Sequence, residues 1–189
     1  MIFTETKLPG AYLVELERKA DDRGFNARAW CRSEFEEAGL VDRLVQQNVI
    51  FNHARGTLRG MHFQKPPWAE TKLFRVTRGA IYDVIVDLRP ESPTYLQWQS
   101  FELRADAYTM LYVPERFGQG FLTLEDDTEL TYQVSAPYTP GHEGGFRYDD
   151  PALAIEWPDE VRVISKKDRA WAPFDPETAG LGAPVEAAR

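Results

Sequence analysis

The residues best suited to chemistry in this chain cluster in a stretch from Gly56 to Val76, GTLRGMHFQKPPWAETKLFRV, which reads as a strand, a Pro-broken loop and a second strand. Strict alternation predicts that Leu58, Gly60 and His62 share one face of the first strand, with Thr57, Arg59 and Met61 on the other. On the second strand Lys72 shares its face with Phe74 and Val76, so an ammonium is aimed where apolar side chains point. His62, whose imidazole exchanges protons near neutral pH, and the cation of Lys72 are therefore expected to look into one cavity. Two further residues join them. Tyr132 shares a face with Leu130 and Val134, which turns its hydroxyl inward. Asp168, in Ile164-Ser165-Lys166-Lys167-Asp168, offers the carboxylate that an imidazole base needs to hold its tautomer. Taken singly, each has a plainer role: a hydrogen-bonded core histidine, a half-buried lysine, a buried tyrosine with a partner, a solvated tail charge.

The elements that must hold these groups are mostly strands. Runs rich in Val, Ile, Tyr and Phe, each ended by Gly, Pro, Asp or Asn, are predicted at 42–53, 57–63, 71–78, 80–88, 95–104, 108–113, 120–124 and 128–135. Ala11–Arg18 also alternates, and Phe25–Trp30 follows the turn at Asp21-Asp22-Arg23-Gly24. In Ala80–Leu88, Tyr82, Val84, Val86 and Leu88 form one face and Asp83 and Asp87 the other. One short helix is predicted after Ser33, where Ser33-Glu34-Phe35-Glu36 has the form of a capping box. Many short strands at spacings of about 8–12 residues predict a sandwich or barrel. After Pro151 the chain turns Pro-, Trp- and charge-rich, which predicts irregular structure wrapping that barrel. Residues 1–189 read as one domain.

Composition narrows the function. A net charge of -8 argues against a nucleic-acid binder, and no stretch approaches the length of a membrane span. No secretory signal is visible at the N-terminus, and the single cysteine, Cys31, permits no internal disulfide, so a cytoplasmic location is expected. No Gly-rich phosphate loop precedes a helix, and no serine sits in a nucleophile elbow. The three histidines, His53, His62 and His142, are too few and too scattered for a barrel metal site; Gln64 and Gln119 stand where further imidazoles would be wanted.

Leu58-Arg59-Gly60-Met61-His62-Phe63-Gln64, followed by Thr71-Lys72-Leu73, resembles the core motif of the dTDP-4-dehydrorhamnose 3,5-epimerases, which are metal-free cupin-type jelly rolls. The similarity covers most of the chain, including Asp22-Arg23-Gly24-Phe25, Asp83-Val84-Ile85-Val86-Asp87-Leu88-Arg89, Ser92-Pro93-Thr94-Tyr95, Gly120-Phe121-Leu122 and Asp149-Asp150-Pro151 through Trp157-Pro158. The resemblance implies an all-β cupin-type jelly-roll barrel with a short N-terminal helix and an irregular or helical C-terminal extension. It implies epimerisation of a dTDP-4-keto-6-deoxyhexose at C3, C5 or both, without cofactor. His62 would be the general base, Asp168 its partner, Lys72 the stabiliser of the enolate oxygen, and Tyr132 the acid on the opposite face of the ring. Arg23 and Arg59 would hold the pyrophosphate, Tyr138 would stack on the base, and Gln46, Asn48, Glu143 and Lys167 would complete the substrate site. It also implies a homodimer that exchanges N-terminal strands.

Three departures fall in the substrate-reading shell, one of them Pro137 in place of the first Tyr of the family's usual Tyr-Tyr pair. Members typically read Ala-His-Gly-Phe where this chain has Gly118-Gln119-Gly120-Phe121, and they carry a carboxylate where it has Arg28. Gln119 can hydrogen-bond but cannot titrate, and Arg28 reverses a charge near the nucleotide. They favour weighing a mono-epimerase acting on another 4-keto sugar nucleotide beside the double epimerase. A non-catalytic sugar-nucleotide-binding cupin is the alternative from another class, though a binder needs neither acid nor base. A ketoisomerase of related fold would carry more histidines at the sugar.

Overall fold

The computed structural model describes residues 1–176 and 180–182. The alternating runs form strands. β1 (Ile2–Glu5) and β2 (Tyr12–Glu15) pair with each other, β3 (Lys19–Asp21) and β4 (Gly24–Asn26) make a separate hairpin, and α1 (Arg32–Glu37) follows. The central strands are β5 (Gln46–Asn52), β6 (Thr57–Gln64), β7 (Lys72–Arg78), β8 (Ala80–Asp87), β9 (Trp98–Arg104), β10 (Met110–Val113), β11 (Phe117–Thr123) and β12 (Thr128–Val134). Beyond them lie β13 (Glu143–Gly145), β14 (Val163–Ile164) and α2 (Lys166–Arg169).

Two sheets face each other as a cupin-type jelly roll. The first runs β1-β2-β10-β7-β12-β5; the second runs β13-β6-β11-β8-β9, with β14 added parallel to β6. Between them Phe74, Val76, Leu111 and Leu130 of the first sheet meet Ile81, Ile85, Phe101, Phe117 and Phe121 of the second. The predicted faces of β7, β8 and β12 hold, because each has one face in this core. The other face of β8, with Val84, Val86 and Leu88, packs under Phe146, Leu153, Ile155 and Phe174, so the segment after Pro151 covers the second sheet as expected.

Three local expectations change. α1 starts at Arg32 with Cys31 as its cap, and no side chain caps it; Ser33 lies inside the helix and its Oγ meets the Cys31 Sγ at 3.2 Å. A six-residue helix has little stability of its own, and α1 is held by the fully buried Phe35, which packs with Val14, Leu73, Met110 and Tyr112 outside the first sheet. The strand expected over Phe25–Trp30 is only the three-residue β4. On β6 the alternation breaks. The pairing with β11 shifts by one residue between Gln119↔His62 and Phe121↔Arg59, a bulge that returns Arg59 to the same side as His62 and sends Met61 to the outer cluster. Gly60 permits it: its φ is +129°, and a Cβ there would lie 2.5 Å from the Cα of Gly120.

Candidate active site

A cavity of about 640 Å³ opens between the two sheets. His62 of β6 and Gln119 of β11, which are cross-strand partners, contribute from the second sheet. Lys72 of β7 and Tyr132 of β12 contribute from the first. Imidazole and phenol therefore stand on opposite walls. Tyr132 is fixed by stacking on its cross-strand neighbour Phe74, with ring centroids 4.9 Å apart and planes at 17°. Burial raises the Tyr132 phenol above its ordinary value, with Glu70 adding to the shift and Arg59 opposing it, so the hydroxyl keeps its proton at neutral pH.

The C-terminal segment supplies the partner of His62. Val163–Ile164 pairs parallel to Thr57–Leu58, and the chain then turns into α2, where the Ser165 Oγ accepts from the Asp168 backbone N–H at 2.9 Å. That turn buries Asp168, with 5% of its side chain exposed, and sets its Oδ1 2.6 Å from His62 Nε2. Burial pushes the carboxyl up, but hydrogen bonding and the charge of His62, with the Gly60 N–H and Ser165, outweigh it and hold Asp168 below the usual carboxylate range. The remaining ring nitrogen of His62 is left for the cavity.

Arg59, Tyr138, Glu143 and Lys167 also line the cavity. The Arg59 Nε donates to the Asn52 Oδ1 at 2.8 Å, and Lys167 pairs with Glu143. Gln46 and Asn48 lie on the inward face of β5, next to the cavity wall: Asn48 is the register partner of Tyr132, and the Gln46 Oε1 accepts from the Tyr138 N–H at 3.3 Å. Arg23 and Arg28 lie outside it. Arg23 sits on the β3–β4 turn, 90% exposed and paired with Asp21; Arg28 pairs with Glu34 at 2.6 Å. Both belong to the exposed segment between β2 and α1, outside the two facing sheets, which a strand pattern cannot reveal.

Three residues at the site went unrecognised in the sequence. Trp171 lines the cavity edge-on to His62, against Gly145, where a Cβ would come 2.3 Å from the indole. Glu70 lines it 3.6 Å from the Lys72 Nζ and accepts from the Gln64 Nε2 at 3.2 Å; burial raises its carboxyl, with Lys72 opposing. Asp83, fully buried on the inner face of β8, accepts from the Gln119 Nε2 at 3.1 and 3.0 Å. Only Asp83 left a signal, since alternation already set it opposite the Val84–Val86 face. Among the described residues no group of three or more His, Cys, Asp or Glu side chains is arranged to hold a metal ion.

Burial pushes Asp83 from 3.8 up to about 8, with Gln119 and then Lys72 pulling the other way. An unfolded chain ionises this group near 3.8, whereas the folded one keeps its proton until about 8, so rising pH across that window costs stability. The penalty is absent below the lower value and complete above the upper, reaching on the order of 5 kcal/mol. Asp83→Asn should therefore gain stability over the native chain as pH rises through the window. Denaturant unfolding of both proteins across that range checks this, and a constant difference would contradict it.

A jelly roll that encloses a histidine–carboxylate pair on one wall and a phenol and an ammonium on the other has the architecture of an acid–base isomerase. A family model for dTDP-4-dehydrorhamnose 3,5-epimerase matches residues 5–176. The dTDP-4-dehydrorhamnose 3,5-epimerase of Sinorhizobium fredii is 40% identical over 173 residues, 89% of this chain and 87% of that protein. The crystal structure of the Bacillus anthracis dTDP-4-dehydrorhamnose 3,5-epimerase, with TDP and PPi bound, superposes with a TM-score of 0.88 at 42% identity, covering 92% of this chain and 99% of that one. A 4-keto-6-deoxy sugar epimerase from the novobiocin biosynthetic gene cluster of Streptomyces spheroides superposes at 0.85 with 34% identity, covering 92% and 87%. This chain is thus an isomerase of the carbohydrate-epimerase class. It belongs to the dTDP-4-dehydrorhamnose 3,5-epimerase family.

Proposed function

We propose that this protein epimerises a dTDP-4-keto-6-deoxyhexose, inverting C3 and C5 through an enolate. The observation that carries the reading is the opposition of His62, held by Asp168, to Tyr132 and Lys72 across one cavity. The C4 ketone acidifies the C–H bonds at C3 and C5. His62 removes one of these protons, the bonding pair moves into the carbon–carbon bond, and the carbonyl pair moves onto O4. Asp168 stabilises the resulting imidazolium, and Lys72 the enolate oxygen. Tyr132 then gives its proton to the carbon from the other face, O4 returns to a ketone, and the carbon is inverted. One proton leaves and one arrives, so the step needs neither redox cofactor nor metal.

The nucleotide half of the site is read in the same way. Arg59 engages the pyrophosphate, Tyr138 stacks on the base, and Gln46, Asn48, Glu143 and Lys167 hold the remaining polar groups. The exposure of Arg23 and Arg28 favours a homodimer in which the β3–β4 segment of one copy reaches the site of the other. The outward face of edge strand β5, with Val49 and Phe51 exposed, is suited to such a contact. Residues 1–189 act as one domain, and a reducing cytoplasm suits a chain whose single cysteine is free. Arg23→Ala should then weaken nucleotide-sugar binding by about tenfold while the dimer mass is kept, read by calorimetry and light scattering. An unchanged affinity would remove Arg23 from the site.

Gln119, in place of the family's histidine, favours a second reading: inversion at one carbon only, on a related 4-keto sugar. Proton NMR of dTDP-4-keto-6-deoxyglucose with the protein in deuterated water tests both. Deuterium at C3 and C5 supports the double epimerase, and deuterium at one carbon the mono-epimerase. No exchange with this or other 4-keto nucleotide sugars would favour a sugar-nucleotide-binding cupin.

A further inference from the structure

Glu70, just ahead of β7, and Lys72, its first residue, line one wall of the cavity with 12% and 11% of their side chains exposed. The Glu70 Oε1 lies 3.6 Å from the Lys72 Nζ, an ion pair longer than a hydrogen bond. The other oxygen, Oε2, accepts from the Gln64 Nε2 at 3.2 Å. Gln64 is buried and fixed at both ends of its amide: Nε2 also donates to the Trp68 carbonyl at 2.9 Å, and Oε1 accepts from the Thr139 N–H at 2.8 Å. An acceptor and a donor are thus held next to each other, facing a cavity, with no hydrogen bond between them. Charged groups withdrawn from most of their water need partners, and a ligand that brings one acceptor and one donor supplies both. We propose that Glu70 is a specificity-determining residue whose Oε1 accepts a hydrogen bond from the C3 hydroxyl of the sugar while Lys72 holds the adjacent C4 carbonyl oxygen. The assignment rests on the epimerase reading for the identity of the sugar.

The chemistry follows from the order of the two groups. In a 4-keto-6-deoxyhexose the carbons beside the ketone are C3, which carries a hydroxyl, and C5, which carries the methyl group and the ring oxygen. Only C3 offers a donor next to the carbonyl. An ammonium donates and cannot accept, whereas an ionised carboxylate accepts and cannot donate. Side by side they read a carbonyl with a hydroxyl on the neighbouring carbon, and they fix which way round the ring lies. The groups that face the carboxylate support the ion: the Lys72 ammonium opposes the upward push of burial, and the Gln64 amide nitrogen donates. The hydroxyl keeps its proton in this contact, so Glu70 selects the sugar without joining the proton transfers. A sugar lacking that hydroxyl would cover Oε1 from water and give it no donor, a discrimination of about tenfold to hundredfold.

The test uses binding of ligands without a ketone, so it does not depend on turnover. Calorimetric affinities of dTDP, dTDP-6-deoxyglucose and its 2-deoxy and 3-deoxy analogues are measured at neutral pH for the native protein, Glu70→Gln and Glu70→Leu. The native protein should prefer the parent sugar over the 3-deoxy analogue by about tenfold to hundredfold. Glu70→Leu should bring that ratio within about twofold, and Glu70→Gln, whose uncharged carbonyl still accepts, should keep about threefold to tenfold. The affinity for dTDP and the ratio to the 2-deoxy analogue should stay within about twofold in all three proteins, because neither involves the C3 hydroxyl. Equal affinities for the parent and 3-deoxy sugars in the native protein, or a preference that both variants keep in full, would overturn the proposal. A loss that falls equally on dTDP and the 2-deoxy analogue would assign Glu70 to the support of the cavity wall and overturn it as well. If Glu70→Leu fails to fold, Glu70→Gln decides by the same ratio. A C3 preference without deuterium exchange into any 4-keto sugar would leave the Glu70 assignment standing and remove the epimerase reading instead.

Discussion

His62→Ala is expected to reduce deuterium incorporation at C3 and C5 by about a hundredfold to ten-thousandfold, the usual contribution of a positioned general base. The 2.6 Å contact with Asp168 explains why the loss should be so large. The carboxylate occupies one ring nitrogen, so the other meets the substrate in a defined tautomer, and the imidazolium formed by proton removal is stabilised by a charge already in position. Asp168 is in turn pinned by the Ser165 cap and by β14 lying along β6, so little reorganisation accompanies the transfer. Nucleotide affinity should change little, because the residues proposed to hold the phosphates and the base, Arg59 and Tyr138, are left in place. Single-turnover NMR in deuterated water reads the exchange, and calorimetry reads the affinity. Exchange at the native rate would remove His62 as the base.

Tyr132→Phe is expected to separate two events that the native protein couples. Proton removal depends on His62 and Lys72, which the substitution leaves in place, so deuterium should still enter the sugar within about tenfold of the native rate. Inversion depends on a proton from the other wall, and its rate should fall by about a hundredfold or more. The lost hydroxyl is the only atom removed, and the ring still stacks on Phe74, so the cavity keeps its shape. The enolate would instead be reprotonated by His62 from the face it left, which labels the carbon without inverting it. Comparing deuterium content with the ratio of epimers measures both in one sample. Inversion at the native rate would assign the acid to another residue, and Glu70, on the same side of the cavity, would be the first to examine.

The placement of the proposed catalytic side chains was legible wherever one period governed it. A strand turns successive side chains to opposite faces, so Lys72 beside Phe74 and Val76, and Tyr132 between Leu130 and Val134, had to point inward once those apolar residues formed the core. The same period put Asp83 opposite Val84 and Val86, but only the packing of the two sheets made that the inner face, with Ile81 and Ile85, and brought Gln119 to it. Where pairing overrode the period, the sequence misled. Arg59 reaches the side of His62 only through the bulge opposite Gly120, which depends on the backbones of two strands far apart in the chain approaching closely at Gly60.

The rest was decided in three dimensions. Asp168 is 106 residues from His62, and only the docking of β14 on β6 carries it into the core; its local sequence, rich in lysine, is that of an exposed tail. Arg23 and Arg28 carry suitable charge, yet they pair with Asp21 and Glu34 between β2 and α1 and do not line the cavity of their own chain. Residue types and their alternation thus fixed which groups face inward, since that follows from peptide geometry. Which of them meet was fixed by long-range strand pairing, whose register follows from how two whole sheets pack.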